Sequence, residues 1–368
     1  MQKPPLIPVT TLLFSLTFLA AITLVPWYGF THGFEWYEWA TMAVIFMFNG
    51  TAITAGYHRL WSHRTYKAHW SLRLWFALWG AMATQNSVLH WASGHRRHHA
   101  FVDDDHKDPY SASRGFWFSH IGWMLRPYDD KRDDFSGIRD LQKDSIVMWQ
   151  HRNYIPLVLA TNFGIPALIG FIYGDVVASL LLSGVLRLVL SHHCTFFINS
   201  LAHIWGRRPY TDRNSARDND VLAFFTWGEG YHNFHHIFQT DYRNGVRWWQ
   251  YDPTKWMIFT ASKMGLAWDL RKVSDFRIAK ARVDMEYKRA GQKLTCEKAL
   301  AQLEEQYVAM VAALKEWSAL RQQKLEAKAE ELKKQWEASE AHTRYVELKK
   351  ALKEQQDRWY LALNGHLV

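Results

Sequence analysis

The chain has 368 residues, with 44 Lys and Arg against 35 Asp and Glu, a formal charge of +9 and a pI near 9.3. Two cysteines, Cys194 and Cys296, exclude a disulfide framework and make a reducing interior the default. The basic balance accompanies long uncharged apolar runs, which points to a membrane surface and away from nucleic acid.

The first of these runs lies between Lys3 and His32, "PPLIPVTTLLFSLTFLAAITLVPWYGFT". It is long enough to cross the roughly 30 Å hydrocarbon core as a helix, and too long for the apolar part of a signal peptide. It predicts a crossing over residues 6–30. Later runs predict crossings over 38–57, 153–174 and 176–202, the last apolar except for Arg187 and the His192–His193 pair. Arg187 either snorkels to the interface or pairs inside the bundle; for His192 and His193, packing is the default reading. Trp27, Tyr28, Trp36 and Trp39 flank the first pair of crossings, where an interfacial belt belongs.

Loop charge orients the crossings. The links Thr31–Glu38 and Tyr173–Asp175 carry no Lys or Arg, whereas residues 57–153 carry fourteen. The positive-inside rule therefore places that long segment and both termini in the cytoplasm. In a bacterial cell the membrane would be the inner, cytoplasmic one. Trp70 to Leu89, "WSLRLWFALWGAMATQNSVL", contains only Arg73 and competes as a fifth crossing. Its polar second half, Thr84 to Ser87, argues for a buried or re-entrant helix.

Residues 1–276 thus form a membrane domain and 277–368 a charged helical tail rich in Lys, Glu, Ala and Gln. In the tail Leu300, Leu303, Tyr307, Met310, Leu314 and Trp317 alternate three and four apart, a short heptad seam. The seam resumes loosely at Leu325, Leu332 and Trp336. One or two amphipathic, coiled-coil-like helices ending near Asn364–Gly365 are expected. Docking on the chain's own cytosolic domain, self-association and partner binding are the roles open to them.

Nineteen histidines are the outlier. "GHRRHH" places His95, His98 and His99 in a His-x-x-His-His pattern, and "YHNFHH" repeats it at His232, His235 and His236. On an α-helix these three positions share one face, but the second and third diverge by about 100°. One box can therefore serve two adjacent metal ions. "HRLWSH" adds His58 and His63, which lie about 140° apart on an ideal helix. They converge only if the helix ends there, with His58 at its end and His63 in the turn beyond. "NSLAH" adds His203, with Asn199 one turn before it. All four elements fall on one side of the membrane in the topology set by loop charge. Nine imidazoles suit two ions with four or five ligands each, and a carboxylate-free set suits iron, zinc, copper or nickel. Zinc would be redox-silent.

These motifs closely resemble the membrane acyl-lipid desaturases, especially the stearoyl-CoA (delta-9) type in a bacterial-like version. The resemblance runs from about Ala52 to Val273, includes "SRGFWFSHIGW" and "GEGYHNFHHIFQTDYRNG", and leaves out the tail. It implies an all-α integral membrane protein: four transmembrane helices under a cytosolic helical cap that holds a di-iron centre. It also implies oxygen-dependent desaturation of an acyl chain, with O₂ as co-substrate. The family's nine histidine ligands fall on the nine named above, and its water-holding asparagine falls on Asn199. Asp103, Asp104, Asp105 and Asp108 either orient the ligand rings or form a solvated acidic loop.

The resemblance further places a tunnel-kinking set at Gln85, Trp91 and Thr195, with Phe196 where animal enzymes usually carry Trp. Phe46 and Gly50 fall where the family's tunnel closes. Asn86 is retained, and Arg114 and Arg126 are phosphate candidates. The animal enzymes' Arg-Asp pair before the second box is replaced by Ser93-Gly94. With Asn86, Arg114 and Arg126 in place, acyl-CoA is still the expected substrate, with a phospholipid-linked chain or a carrier-protein thioester as alternatives. Electrons would come from a separate ferredoxin or small haem protein with its reductase. A histidine-box hydroxylase acting on fatty acids, alkanes or sterols shares the ligand logic, and a non-enzymatic metal carrier is the bland alternative. The soluble di-iron class is excluded, because only Glu229-x-x-His232 has its Glu-x-x-His form.

Overall fold

A computed structural model describes residues 3–129, 131–327 and 330–363. Four helices are long and apolar enough to cross a membrane: Pro8–Thr31, Trp36–Ser62, Tyr154–Tyr173 and Val176–Ile204. The first is exposed along most of its length, with Leu12, Leu16, Leu19 and Ile22 bare, as a lipid-facing helix requires. Tyr28 in the first span donates to Asp175 at the start of the fourth at 2.7 Å. This pins the two together at the end away from the histidine boxes.

The second span departs from expectation. It runs on to Ser62, because the α-helix Trp36–Thr51 passes into a fully buried π-helical stretch, Ala52–Ser62. Bonding from i to i+5 brings residues five apart onto one side. The His63 N–H donates to the His58 carbonyl at 3.1 Å in that pattern. His58 and His63 therefore converge within a continuing helix, with no need for the helix to stop at His58.

The segment that competed as a fifth crossing forms a twelve-residue helix, Trp70–Ala81, too short to span. Its Trp75 and Trp79 rings pack on Phe48 of the second span at 5.4 and 5.1 Å. The Asn49 amide donates to the Trp79 carbonyl at 2.9 Å. A turn over residues 82–87 then reverses the chain into the helix Val88–Phe101, which carries the second histidine box. The helix His232–Ile237 carries the third.

The chain divides into two compact units, residues up to Arg207 with Asn214–Lys272, and Arg208–Arg213 with Val273 onward. The second holds four described helices, more than the one or two expected: Asp275–Gly291, Glu297–Glu326, Glu330–Glu337 and Glu340–Leu363. Its core joins Val283, Leu303, Met310, Leu314, Leu352 and Trp359, so the heptad seam packs on helices of its own unit. Tyr307 donates to Asp284 at 2.9 Å and Trp359 to Glu286 at 2.8 Å. Asn364–Gly365 and the Leu332 side chain lie outside the described residues.

Candidate metal centre

The nine histidines assemble into two groups. His58, His63, His95, His99 and His235 form one, and His98, His203, His232 and His236 the other, with the ligand atoms of each group within 4.8 Å of one another. The two His-x-x-His-His boxes are each split between them, whereas His58 and His63 both join the first. On Val88–Phe101, His95 and His99 lie one turn apart and join the first group, while His98 turns to the second. On His232–Ile237 the division is reversed, with His232 and His236 in the second group and His235 in the first. The His99 and His236 rings stack at 4.3 Å across the divide.

Facing nitrogens within the groups are close. His58 and His235 Nε2 are 2.9 Å apart, His63 and His95 Nε2 2.8 Å, and His203 and His232 Nε2 3.1 Å. Partners on the far side of several rings fix the tautomer. His58 Nδ1 is 2.9 Å from the Glu229 carboxylate, and His98 Nδ1 is 2.9 Å from both oxygens of Asp108. His203 Nδ1 faces Ser215 Oγ at 2.7 Å, and Ser215 in turn donates its hydroxyl and its N–H to Asp103. A ring that gives its Nδ1 proton to a carboxylate points an Nε2 lone pair inward. Burial, reinforced by neighbouring imidazoles, pushes His63, His95, His99, His232, His235 and His236 well below the ordinary histidine range. These rings are therefore neutral near pH 7, in the form that binds a metal. Two clusters of inward-facing Nε2 atoms, most of them on buried rings, fit a pair of first-row transition ions and do not fit Mg²⁺ or Ca²⁺.

The supporting carboxylates are themselves held. Arg59, fully buried, donates to Glu229 at 2.9 Å and pairs with Asp252 at 3.0 Å. Burial works to raise the Glu229 carboxyl, but His58 and Arg59 outweigh it and hold it below the ordinary range. Sequence spacing did not point to Glu229 as a support for His58, because that contact is made across the fold. Asp108 and Asp103 lay within the acidic segment already singled out. Asp104 and Asp105 turn away from the site. Asp104 accepts the N–H groups of His106 and Lys107, and Asp105 accepts the Ser113 hydroxyl.

A cavity of about 440 Å³ opens beside the histidines, with His58, His95, His98, His232, Asn199 and Glu229 on its wall. Its size falls in the range of sites that bury a small ligand. Gln85, Asn86, Trp91, Thr195, Phe196 and Arg126 also line it. Gln85 stands between two partners, donating to Thr195 at 2.9 Å and accepting from the Trp91 indole at 3.3 Å. Arg126 donates to the Pro4 carbonyl. The other candidates lie off the wall. Phe46 packs on Trp227 at 4.8 Å, and a Cβ on Gly50 would meet the same indole at 2.1 Å. The Arg114 guanidinium covers the Phe118 ring at 3.6 Å.

Comparison with known proteins agrees with this arrangement. The fatty acid desaturase family model matches residues 34–271. The chain is 48% identical over 245 residues to acyl-CoA desaturase 1 of Saccharomyces cerevisiae, covering 66% of this chain and 48% of that one. It is 45% identical over 246 residues to a probable acyl-CoA desaturase of Schizosaccharomyces pombe, covering 67% and 51%. It is 37% identical over 278 residues to human stearoyl-CoA desaturase, covering 74% of each. The aligned region thus spans about half the length of the two yeast relatives. Four membrane-capable helices, two histidine clusters and a family match over most of the first unit place one conclusion beyond dispute: this chain belongs to the fatty acid desaturase family.

Proposed function

We propose that the protein is an oxygen-dependent fatty acyl desaturase that introduces a cis double bond, at the delta-9 position, into a saturated acyl chain carried as acyl-CoA. The observation that carries this reading is the cavity whose wall includes members of both histidine groups. A substrate chain placed there lies against the metal-binding residues along an apolar channel.

His58, His63, His95, His99 and His235 would hold one iron, and His98, His203, His232 and His236 the other, with Asn199 holding a water at one of them. When bound, the iron pair would supply the activation of O₂ that removal of two unactivated hydrogens demands. The chain's own residues do the rest. Glu229, Asp108 and the Asp103–Ser215 relay keep His58, His98 and His203 in the tautomer that presents Nε2. Phe196, Trp91 and the aliphatic wall exclude water from the chain. Gln85, tied to Trp91 and Thr195, fixes a polar point in that wall. Arg126 at the wall offers a cation to a phosphorylated head group. Electrons come from a separate ferredoxin or small haem protein with its reductase, and the loop charges support a site and termini on the cytoplasmic side.

One observation favours a second reading of the head group. Ser93 donates to the Asp134 carbonyl at 2.7 Å, and nothing lies within 4 Å of a Cβ built on Gly94. That open space suits a phospholipid-linked chain as well as coenzyme A. The test is lipid profiling by gas chromatography–mass spectrometry with double-bond location. Cells expressing wild type are compared with His98→Ala, both fed defined saturated chains. Unsaturated product from the wild type alone supports the desaturase; hydroxylated product would indicate an oxygenase. No product from protein with iron and an electron donor present would leave a metal carrier.

A further inference from the structure

Arg187 lies eleven residues beyond Val176 in the fourth span, roughly 16 Å along it at helical rise, or about halfway through the hydrocarbon core. It is fully buried, and its contacts are all neutral oxygens. Nε donates to the Ser183 carbonyl at 2.9 Å, Nη1 to the Met82 carbonyl at 3.0 Å and Nη2 to Asn162 Oδ1 at 2.6 Å. A guanidinium at that depth is costly, so what it holds must matter.

It holds the end of the helix Trp70–Ala81. Met82 immediately follows Trp70–Ala81, where unpaired carbonyls and the negative end of the helix dipole collect. The turn beyond is unusual, since Thr84 and Asn86 both adopt left-handed φ, at 53° and 77°. Such a turn inside a membrane protein persists only if its surroundings fix it. The Asn162 amide reaches Thr84 Oγ1 at 3.3 Å. His192 Nε2 meets the Ala83 carbonyl at 2.9 Å. The Asn86 N–H donates to the Tyr154 hydroxyl at 2.8 Å. Thr84, Gln85 and Asn86 in turn line the cavity, beside His192 and Thr195.

We infer that Arg187, with Asn162 and His192, is a clamp that positions the Thr84–Asn86 wall of the cavity and so decides which pair of methylenes lies before the histidine groups. This rests on the desaturase reading above. Arg187 touches no reacting atom; it acts through the backbone of the turn. A shift of about 1 Å in a positioning wall is enough to misalign a substrate.

The experiment determines double-bond position and chain-length profile for wild type, Arg187→Lys, Asn162→Leu and His192→Phe, with iron content measured on each purified protein. Lysine keeps the charge but cannot serve three acceptors in a planar fork. Asn162→Leu leaves Arg187 on Met82 and removes the strut to Thr84. The expected result is one dominant isomer from the wild type and a spread over adjacent positions from the variants. The ratio of major to neighbouring isomer should fall about tenfold, with iron retained. Variants that keep iron and activity and give the wild-type isomer and chain-length profile would overturn the clamp. If Arg187→Lys loses iron through misfolding, Asn162→Leu and His192→Phe decide. A wild type that retains iron but makes no unsaturated product overturns the desaturase reading and the clamp with it, a different result from active variants with unchanged products.

Discussion

The Glu229 carboxylate accepts the Nδ1 proton of His58 at 2.9 Å while gripping Arg59 at the same distance. One buried acid therefore orients a metal-facing ring and neutralises a buried cation. Replacing it with Gln removes the charge and leaves Arg59 with Asp252 alone. Glu229→Gln is expected to weaken metal affinity by about 10- to 100-fold. Stability should also fall, by about 3–5 kcal/mol if Arg59 is left poorly paired. Chelator competition monitored by iron content, with thermal unfolding in detergent, measures both; unchanged iron retention would refute the assignment.

The acidic segment separates by function. Asp108→Asn should loosen iron by a similar factor of about 10 to 100, because Asp108 grips His98 with both oxygens. Asp104→Asn should leave iron content at the wild-type level, since Asp104 serves only its own turn. Iron stoichiometry of the two variants, purified side by side, checks the contrast.

Asp218 is buried, and burial pushes its carboxyl up to about 7 despite the Phe234 N–H bonded to it. A carboxyl whose folded pKa exceeds its unfolded value contributes stability that is fully present below about pH 4. That contribution is lost as pH rises through about 7. Asp218→Asn should lack this dependence, with the difference between the proteins on the order of a few kcal/mol across the window. Melting temperatures from pH 4 to pH 8 would show parallel curves if the expectation is wrong.

Gly50 and Phe46 meet Trp227 and not the cavity. Gly50→Leu should therefore cost about 1–3 kcal/mol or more through overpacking, while surviving enzyme keeps its chain-length preference. A clean shift to shorter products at unchanged melting temperature would instead make Gly50 part of the channel.

Much of this was legible in the chain. Uncharged runs mark the four spans because a bilayer penalises charge residue by residue, and the polar stretch Thr84–Ser87 correctly marked the reversal after Ala81. Histidine clustering marked the metal-binding groups, since no packing need places nine imidazoles together. What sequence could not show was conformation and distant pairing. His58 and His63 look divergent until the helix between them widens to i+5 bonding, a choice no local propensity dictates. Glu229 and Arg187 act through contacts made across the fold, where spacing carries no signal.

The crossing of the two boxes between the groups has a consequence for assembly. Had each box built its own cage, a chain lacking one could persist as a one-metal protein, and duplication of a simple site would be an easy route to two. Here His98 is lent to the group in which the third box supplies two ligands, and His235 to the group that His58, His63, His95 and His99 otherwise build. Damage to either helix leaves both cages short of a ligand. No variant that disrupts one of these helices should therefore leave a complete one-metal site behind.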